Sequence, residues 1–307
     1  MDLSVALALG VLAFSPVTPV MPAQAAGDTI RLTDDQGRSV VLAAAPTRII
    51  SLVPNASEIL FALGEGHRLV ARSRFDDYPP AVLALPSVGD AIRPAAELVL
   101  VHEPDMVVMV GGADNRRAVE EFTRLGIAAV VIRINTFEDL KRNILRFGLL
   151  TGRDQAASEL WTQVQAELAA VADMTKGLSR PSVYYDIAYP PAFTIGAQSY
   201  LDSLISLAGG KNVFGDVSAP SPQVSLEAIA AREPQIVIRP LSQNSGYNPP
   251  DPVGRPGWSS LPAVRNGDIR TVEADLLHRL GPRVGRAARA LALAIHPELG
   301  ARPESAE

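Results

Sequence analysis

The 307-residue chain has no cysteine. That excludes disulfides, thiolate metal sites and the acylated cysteine that tethers bacterial lipoproteins. Lysine occurs three times, so the 28 basic residues are nearly all arginine, set against 33 acidic ones for a net charge of -5. No basic field for nucleic acid follows from that balance, and no nucleic-acid partner is expected. The four histidines, His67, His102, His278 and His296, are scattered with no pair at ligand spacing, so no metal site is expected. There is no G-x-S-x-G, no Walker A loop, no H-E-x-x-H and no G-x-G-x-x-G. Enzyme chemistry and a resident cofactor are therefore not expected.

The apolar run Leu3–Phe14 is 12 residues long, short of the roughly 20 that span a bilayer. Pro16, Pro19 and Pro22 and the A-x-A pattern Ala23-Gln24-Ala25 follow it, which reads as a cleaved signal peptide over 1–26. The n-region carries Asp2 and no Lys or Arg, so the true start lies open. Export to the periplasm as a soluble monomer is expected.

What the chain does contain is a repeat. Glu97-Leu-Val-Leu-Val-His-Glu-Pro-Asp-Met-Val-Val and Glu227-Ala-Ile-Ala-Ala-Arg-Glu-Pro-Gln-Ile-Val-Ile share a Glu, a Glu-Pro step and flanking apolar runs. Proline disfavours helical geometry in the residue before it, which predicts helices stopping at Glu103 and Glu233. The apolar runs that follow predict buried parallel strands. One recurrence half a chain later implies two similar lobes with a cleft between them.

The remaining pattern fits that plan. Thr29–Thr33 and Arg38–Leu42 around Asp34-Asp-Gln-Gly37 predict a hairpin. Alternating strands and helices up to residue 152, and again after 179, predict parallel α/β lobes. Asn55 with Glu58 three residues on reads as a capping box. Asp154–Met174 has no Gly or Pro and predicts a helix about 30 Å long, the width of a lobe. The expected organisation is a lobe over 27–152, a backbone helix over 153–178, a lobe over 179–296 and a disordered tail over 297–307. Loops after strands carry aromatics beside Pro and Gly: Phe75 and Tyr78, Gly111-Gly112, and Phe193. In α/β sheets ligands sit outside the carboxyl ends of the strands, so these loops are expected to line the cleft. Asp76-Asp77 reads first as solvated loop charge and second as an acid/base or metal pair.

The order Ile49-Ile-Ser-Leu-Val-Pro-Asn-Ala-Ser-Glu-Ile-Leu60, Asp77-Tyr-Pro-Pro80, Glu103-Pro-Asp105, Leu207-Ala-Gly-Gly-Lys-Asn212 and Pro222-Gln-Val-Ser225 resembles the periplasmic binding proteins for vitamin B12 and ferric siderophores. The resemblance covers about residues 28–296. It implies two Rossmann-like lobes joined by one rigid helix, and a receptor that delivers a bulky ligand to an inner-membrane ABC permease dimer. It gives Glu97 and Glu227 the role of docking onto the two permease subunits. It places Phe75, Phe193, Asp275 and Arg279 at ligand contacts, and sets Asp90, Val110 and Ser221 where such receptors carry tryptophan. Losing those indoles leaves the ligand open among a corrinoid, a ferric siderophore and haem. Arg93, Arg239, Arg279 and Arg283 are candidates for an anionic ligand. A Zn or Mn receptor of the same architecture and a two-lobed cleft enzyme are the other readings.

Overall fold

The structure, a computed structural model, describes residues 29–90, 94–111, 115–242 and 248–300. The expected signal segment, Arg93, Gly112 and residues 301–307 lie outside them.

A hairpin of Ile30–Thr33 (β1) and Ser39–Leu42 (β2) opens the chain, with Ile30 opposite Leu42. The Asp34 carboxylate closes its turn by accepting the backbone N–H groups of Gln36 and Arg38, each at 3.0 Å. The first lobe then runs Ile49–Ser51 (β3), Pro54–Ala62 (α1), Leu69–Arg72 (β4), Ala96–Leu100 (α2), Met106–Val110 (β5), Arg116–Arg124 (α3), Ala128–Ile132 (β6) and Phe137–Thr151 (α4). Its four strands are parallel in the order β4-β3-β5-β6. Asp154–Met174 (α5) follows. The second lobe runs Ser182–Tyr185 (β7), Tyr200–Leu207 (α6), Lys211–Asn212 (β8), Leu226–Ala230 (α7), Ile236–Leu241 (β9), Pro262–Arg265 (α8), Ile269–Glu273 (β10), Ala274–Leu277 (α9) and Val284–Ile295 (α10). Its parallel order is β8-β7-β9-β10, the same permutation as in the first lobe.

In both sheets the first strand lies inside and the chain reverses direction of winding beside it. The switch points fall between β3 and β5 and between β7 and β9, so the loops after those strands form each lobe's binding edge. The sheets are apolar on both faces because helices cover both: Ile49, Ile50, Met106, Val107, Val108 and Met109 have no exposure.

The long helix α5 belongs to both lobes. It buries Ala157, Val164, Leu168 and Val171, spaced along one stripe, against α4 of the first lobe and α10 of the second. Two glycines permit this approach. A Cβ on Gly148 of α4 would sit 2.5 Å from the Ala157 Cβ, and one on Gly285 of α10 would sit 2.4 Å from the Glu167 Cβ. The resulting core is continuous from β3 through α5 to α10.

Three local expectations are corrected. The helices of the repeat end at Leu100 and Ala230, before Glu103 and Glu233. Those two glutamates instead take left-handed backbone, φ 45° and 46°, to turn the chain into the strand. Asn55 caps nothing: Pro54 opens α1 as its first residue and Val53 takes the cap position without a side-chain bond. Asn55 and Glu58 turn their polar groups towards the other lobe. In the tail, Pro297–Leu299 form a 3-10 turn, and His296 is buried against it.

Candidate ligand cleft and docking surfaces

A Tyr-Pro-Pro loop follows a strand in each lobe. Tyr78-Pro79-Pro80 follows β4, and Tyr189-Pro190-Pro191 follows β7. In each, a guanidinium from the second lobe lies over the tyrosine ring: Arg283 over Tyr78 at 3.7 Å and Arg255 over Tyr189 at 4.6 Å. Stacked arginine is held rigidly and contributes about 1–2 kcal/mol per contact where water is excluded. Arg255 also donates to both oxygens of Asp186, just past β7, at 2.9 and 2.5 Å, and lies 4.2 Å from the Trp258 ring centroid. Burial pushes the Asp186 carboxyl up against the pull of Arg255.

The lobes are tied across the floor of the cleft. Arg283, at the start of α10, forks onto Glu58 of α1 at 2.9 and 2.6 Å. Arg279 forks onto both oxygens of Asp77 and donates to the Phe75 carbonyl at 3.1 Å. Asp275 stands 3.6 Å from Arg279 and accepts the Ser242 hydroxyl at 2.8 Å. The Asn55 amide donates to the Leu280 carbonyl at 2.7 Å. Burial draws Arg279 and Arg283 down, but Asp77 and Glu58 more than offset it and hold both above their ordinary values. Bidentate pairs of this kind have fixed geometry as well as charge.

Asp76 and Asp77 are thus not solvated loop charges. Asp77 is the interlobe partner of Arg279. Asp76 is 2 % exposed and accepts the Ser73 N–H at 2.9 Å and the Ser57 hydroxyl at 3.1 Å, while its second oxygen has no partner. Burial pushes its carboxyl up to about 7, against those bonds and against Arg279 and Arg72. The long sequence separation hid these roles: Asp77 and Arg279 are 202 residues apart. The only available signal was the D-x-x-x-R spacing of Asp275 and Arg279.

The other expected contact residues divide. Phe75 is half exposed, under the Arg74 guanidinium at 4.7 Å, and Arg74 pairs with Asp90 at 2.6 Å. Gly111 directly follows β5 and donates its N–H to the Ile132 carbonyl at 3.1 Å. Phe193 is half-buried, bridging Ala188 and Gln223, and Ser221 is exposed in the same loop cluster. Gly112 lies outside the described residues. Arg239 is committed to Asp251 at 3.2 Å and the Pro249 carbonyl at 2.7 Å, so it and the two α10-side arginines do not stand free for an anion. Sequence reasoning missed Arg255 and Trp258, which have no motif, and Tyr189, whose only signal was the Tyr-Pro-Pro step it shares with Tyr78. Among the described residues no three metal-ligating side chains converge.

Glu97 and Glu227 are exposed, one on each lobe, in the first turns of α2 and α7. The Ser225 hydroxyl beside Glu227 holds its carboxyl below the ordinary value.

The chain matches the periplasmic binding protein family over residues 49–276. It is 29 % identical over 248 residues to a vitamin B12-binding protein of Vibrio vulnificus, covering 80 % of this chain and 89 % of that one. Among solved structures, the periplasmic vitamin B12 binding protein BtuF of Vibrio cholerae aligns with a TM-score of 0.69 at 25 % identity, covering 84 % of this chain and 99 % of that one. The periplasmic heme-binding protein RhuT from Roseiflexus sp. RS-1 aligns with a TM-score of 0.73 at 25 % identity, covering 82 % and 98 %. A match across three quarters of the chain, on the same two-lobed frame, places it: this chain belongs to the periplasmic binding protein family.

Proposed function

We propose that this protein is the exported receptor of an ABC importer and encloses a bulky metal chelate, a corrinoid before a ferric siderophore, between its lobes. The observation that carries the reading is the tied frame. Helix α5 and the Glu58–Arg283 and Asp77–Arg279 pairs hold two binding edges at a set separation, which suits capture of a large preformed ligand with little hinge motion. The vitamin B12-binding relatives support the corrinoid. Phe75, Tyr78, Asp90, Gly111, Gly112, Phe193, Ser221, Asp275 and Arg279 are the proposed lining. Glu97 and Glu227 are the proposed docking points on two equivalent permease subunits, one charge per lobe for a two-fold partner. The mature chain begins near residue 27, with lobes over 27–152 and 179–296 about the helix of 153–178; it performs no catalytic step.

Haem is the second reading. It is favoured by the likeness to RhuT and by the placement of the two tryptophans, Trp161 on α5 and Trp258 buried at 1 % exposure, so that neither offers an indole to stack on a corrin. Equilibrium titration of the purified mature chain with cyanocobalamin, ferrichrome and hemin, followed in the visible spectrum, decides among them. A dissociation constant below about 1 µM, roughly -8 kcal/mol, for one of the three is expected. Binding of none sinks the receptor reading.

A further inference from the structure

From the pairing of charges on the cleft floor we infer that the cargo carries no net negative charge, and that Asp77 enforces this by occupying Arg279. The inference rests on the receptor reading above and narrows it.

The guanidiniums that tie or flank the lobes, Arg279, Arg283, Arg255, Arg239, Arg74 and Arg72, are each engaged with protein oxygen. Arg279 is forked by Asp77, Arg283 by Glu58, Arg255 by Asp186, and Arg239 and Arg74 meet Asp251 and Asp90. Arg72 spends its donors on the carbonyls of Leu85, Ser73 and Asp76. At the floor itself, two guanidiniums, Arg279 and Arg283, face three carboxylates, Glu58, Asp77 and Asp275. A fourth carboxyl, Asp76, is buried beneath them. Among the described residues the floor therefore has no surplus of positive charge for an anion.

An anionic ligand would have to displace Asp77 from a bidentate pair and leave that carboxylate facing its own charge. Like charges brought together at a desolvated contact are strongly unfavourable. A ligand rimmed with neutral amides meets a different surface: the carboxylate oxygens of Asp77 and Asp275 accept its N–H groups, and the arginine forks remain paired. The cross-lobe pair then serves two ends, joining the lobes and filtering the charge of what enters between them. A receptor for anionic chelates built on this frame would place an uncharged residue at position 77 and leave Arg279 open.

The test uses two pairs of ligands in which one member carries an added carboxylate. One is cyanocobalamin and its monocarboxylate, with a single amide hydrolysed. The other is ferrioxamine B, a cation, and its N-succinyl derivative, an anion. Affinities of the mature wild-type chain are measured by calorimetric titration at two ionic strengths. In whichever pair binds, the anionic member is expected to bind roughly 10- to 100-fold more weakly, with the gap narrowing as salt rises. In Asp77→Asn the gap is expected to shrink to about threefold or less, whatever the change in affinity for the uncharged or cationic member. An anionic member that binds as tightly as its partner in the wild type overturns the inference and leaves the receptor reading standing. If no member of either pair binds while hemin does, the cargo is an anionic dicarboxylate and the inference falls alone. If hemin also fails, both fall. Should Asp77→Asn melt before it can be titrated, the wild-type series decides by itself, and Asp275→Asn supplies the second variant.

Discussion

Residues 97–106 of the first lobe and 227–236 of the second follow one backbone plan beneath two different surfaces. In both, a five-residue helix buries one side chain, Val99 or Ile229, and a glutamate at φ 45–46° precedes a buried proline. Both then latch onto the start of the lobe's first strand, at Arg48 just before β3 and at Ser182, the first residue of β7. The Asp105 carboxylate accepts the backbone N–H of Arg48 at 3.1 Å, and the Gln235 amide oxygen accepts that of Ser182 at 2.9 Å. Outside, the first lobe presents Leu98, Leu100 and Val101, with Val101 76 % exposed, where the second presents alanines at 228, 230 and 231. Buried positions are held by packing and backbone bonds, which tolerate little change. Outer positions answer only to a partner. The shared part of the repeat builds the lobes, and the divergent part distinguishes their surfaces.

Docking is where the comparison can be broken most forcefully. Glu97→Ala combined with Glu227→Ala is expected to lower ligand uptake at least about 100-fold. Affinity for the ligand itself stays unchanged in the same preparation. Uptake is measured in cells lacking their own copy of the protein. Wild-type uptake by the double variant would remove both glutamates from the partner surface. Unequal losses in the two single variants would instead show that the apolar neighbours of Glu97 share its work.

The second break lies between ties within a lobe and ties across lobes. Glu58 is nearly buried beneath Arg283, and Glu58→Ala leaves that guanidinium without its partner. The expected cost is about 3 kcal/mol, read as a lower midpoint in denaturant unfolding. The exposed pair Arg232–Asp216 within the second lobe is the control, and Asp216→Ala should shift the midpoint far less. Equal costs would mean that the interlobe pair contributes no more than a surface pair.

The two lobes also bury different kinds of carboxyl near the cleft. Asp186 has a bidentate arginine, whereas Asp76 has one oxygen with no partner. Asp76 is raised by burial to about 7, so the folded state binds its proton more tightly than the unfolded state does. Stability from this group is fully present below about pH 4 and is lost as pH rises through 7, at most about 4 kcal/mol. Asp76→Asn should flatten that part of the stability profile between pH 4 and pH 8 and leave the mutant the more stable of the two at pH 8. A wild-type profile that instead rises through this window, with the mutant parallel to it, would show that Asp76 ionises normally.

The parts of this architecture that were legible in the sequence are those governed by neighbours along the chain. Helix α5 has the expected ends, Asp154 and Met174, because an unbroken run of helix formers lies between residues that stop it. Strand β6 likewise matches its apolar run, Ala128–Ile132. The two-lobed fold followed from the repeat. What the sequence concealed depends on partners far along the chain. Asn55 and Glu58 look like a capping box, yet Leu280 and Arg283, 225 residues away, take their polar groups. Asp77 looks solvated until Arg279 is folded against it. Strand β8 is two residues long and exists only because β7 lies beside it. No local signal of periodicity or turn chemistry encodes such contacts.

The smallest expected effect tests the repeat within its own helices. The Ser225 hydroxyl accepts the Ala228 N–H at 3.2 Å and caps α7, while Ala95 occupies the same position before α2 with no side chain to offer. Both residues have extended backbone, with ψ of 161° and 96°, so the missing cap reflects the side chain before the geometry. Ser225→Ala should cost about 1 kcal/mol, and Ala95→Ser should return about half that or more by reaching the Leu98 N–H. Each change is local, so amide hydrogen exchange in α2 and α7 reads it more directly than global unfolding. Protection should fall in α7 for the first variant and rise in α2 for the second. If Ala95→Ser leaves α2 unchanged, the 65° difference in ψ matters after all, and the two helices begin less alike than their sequences imply.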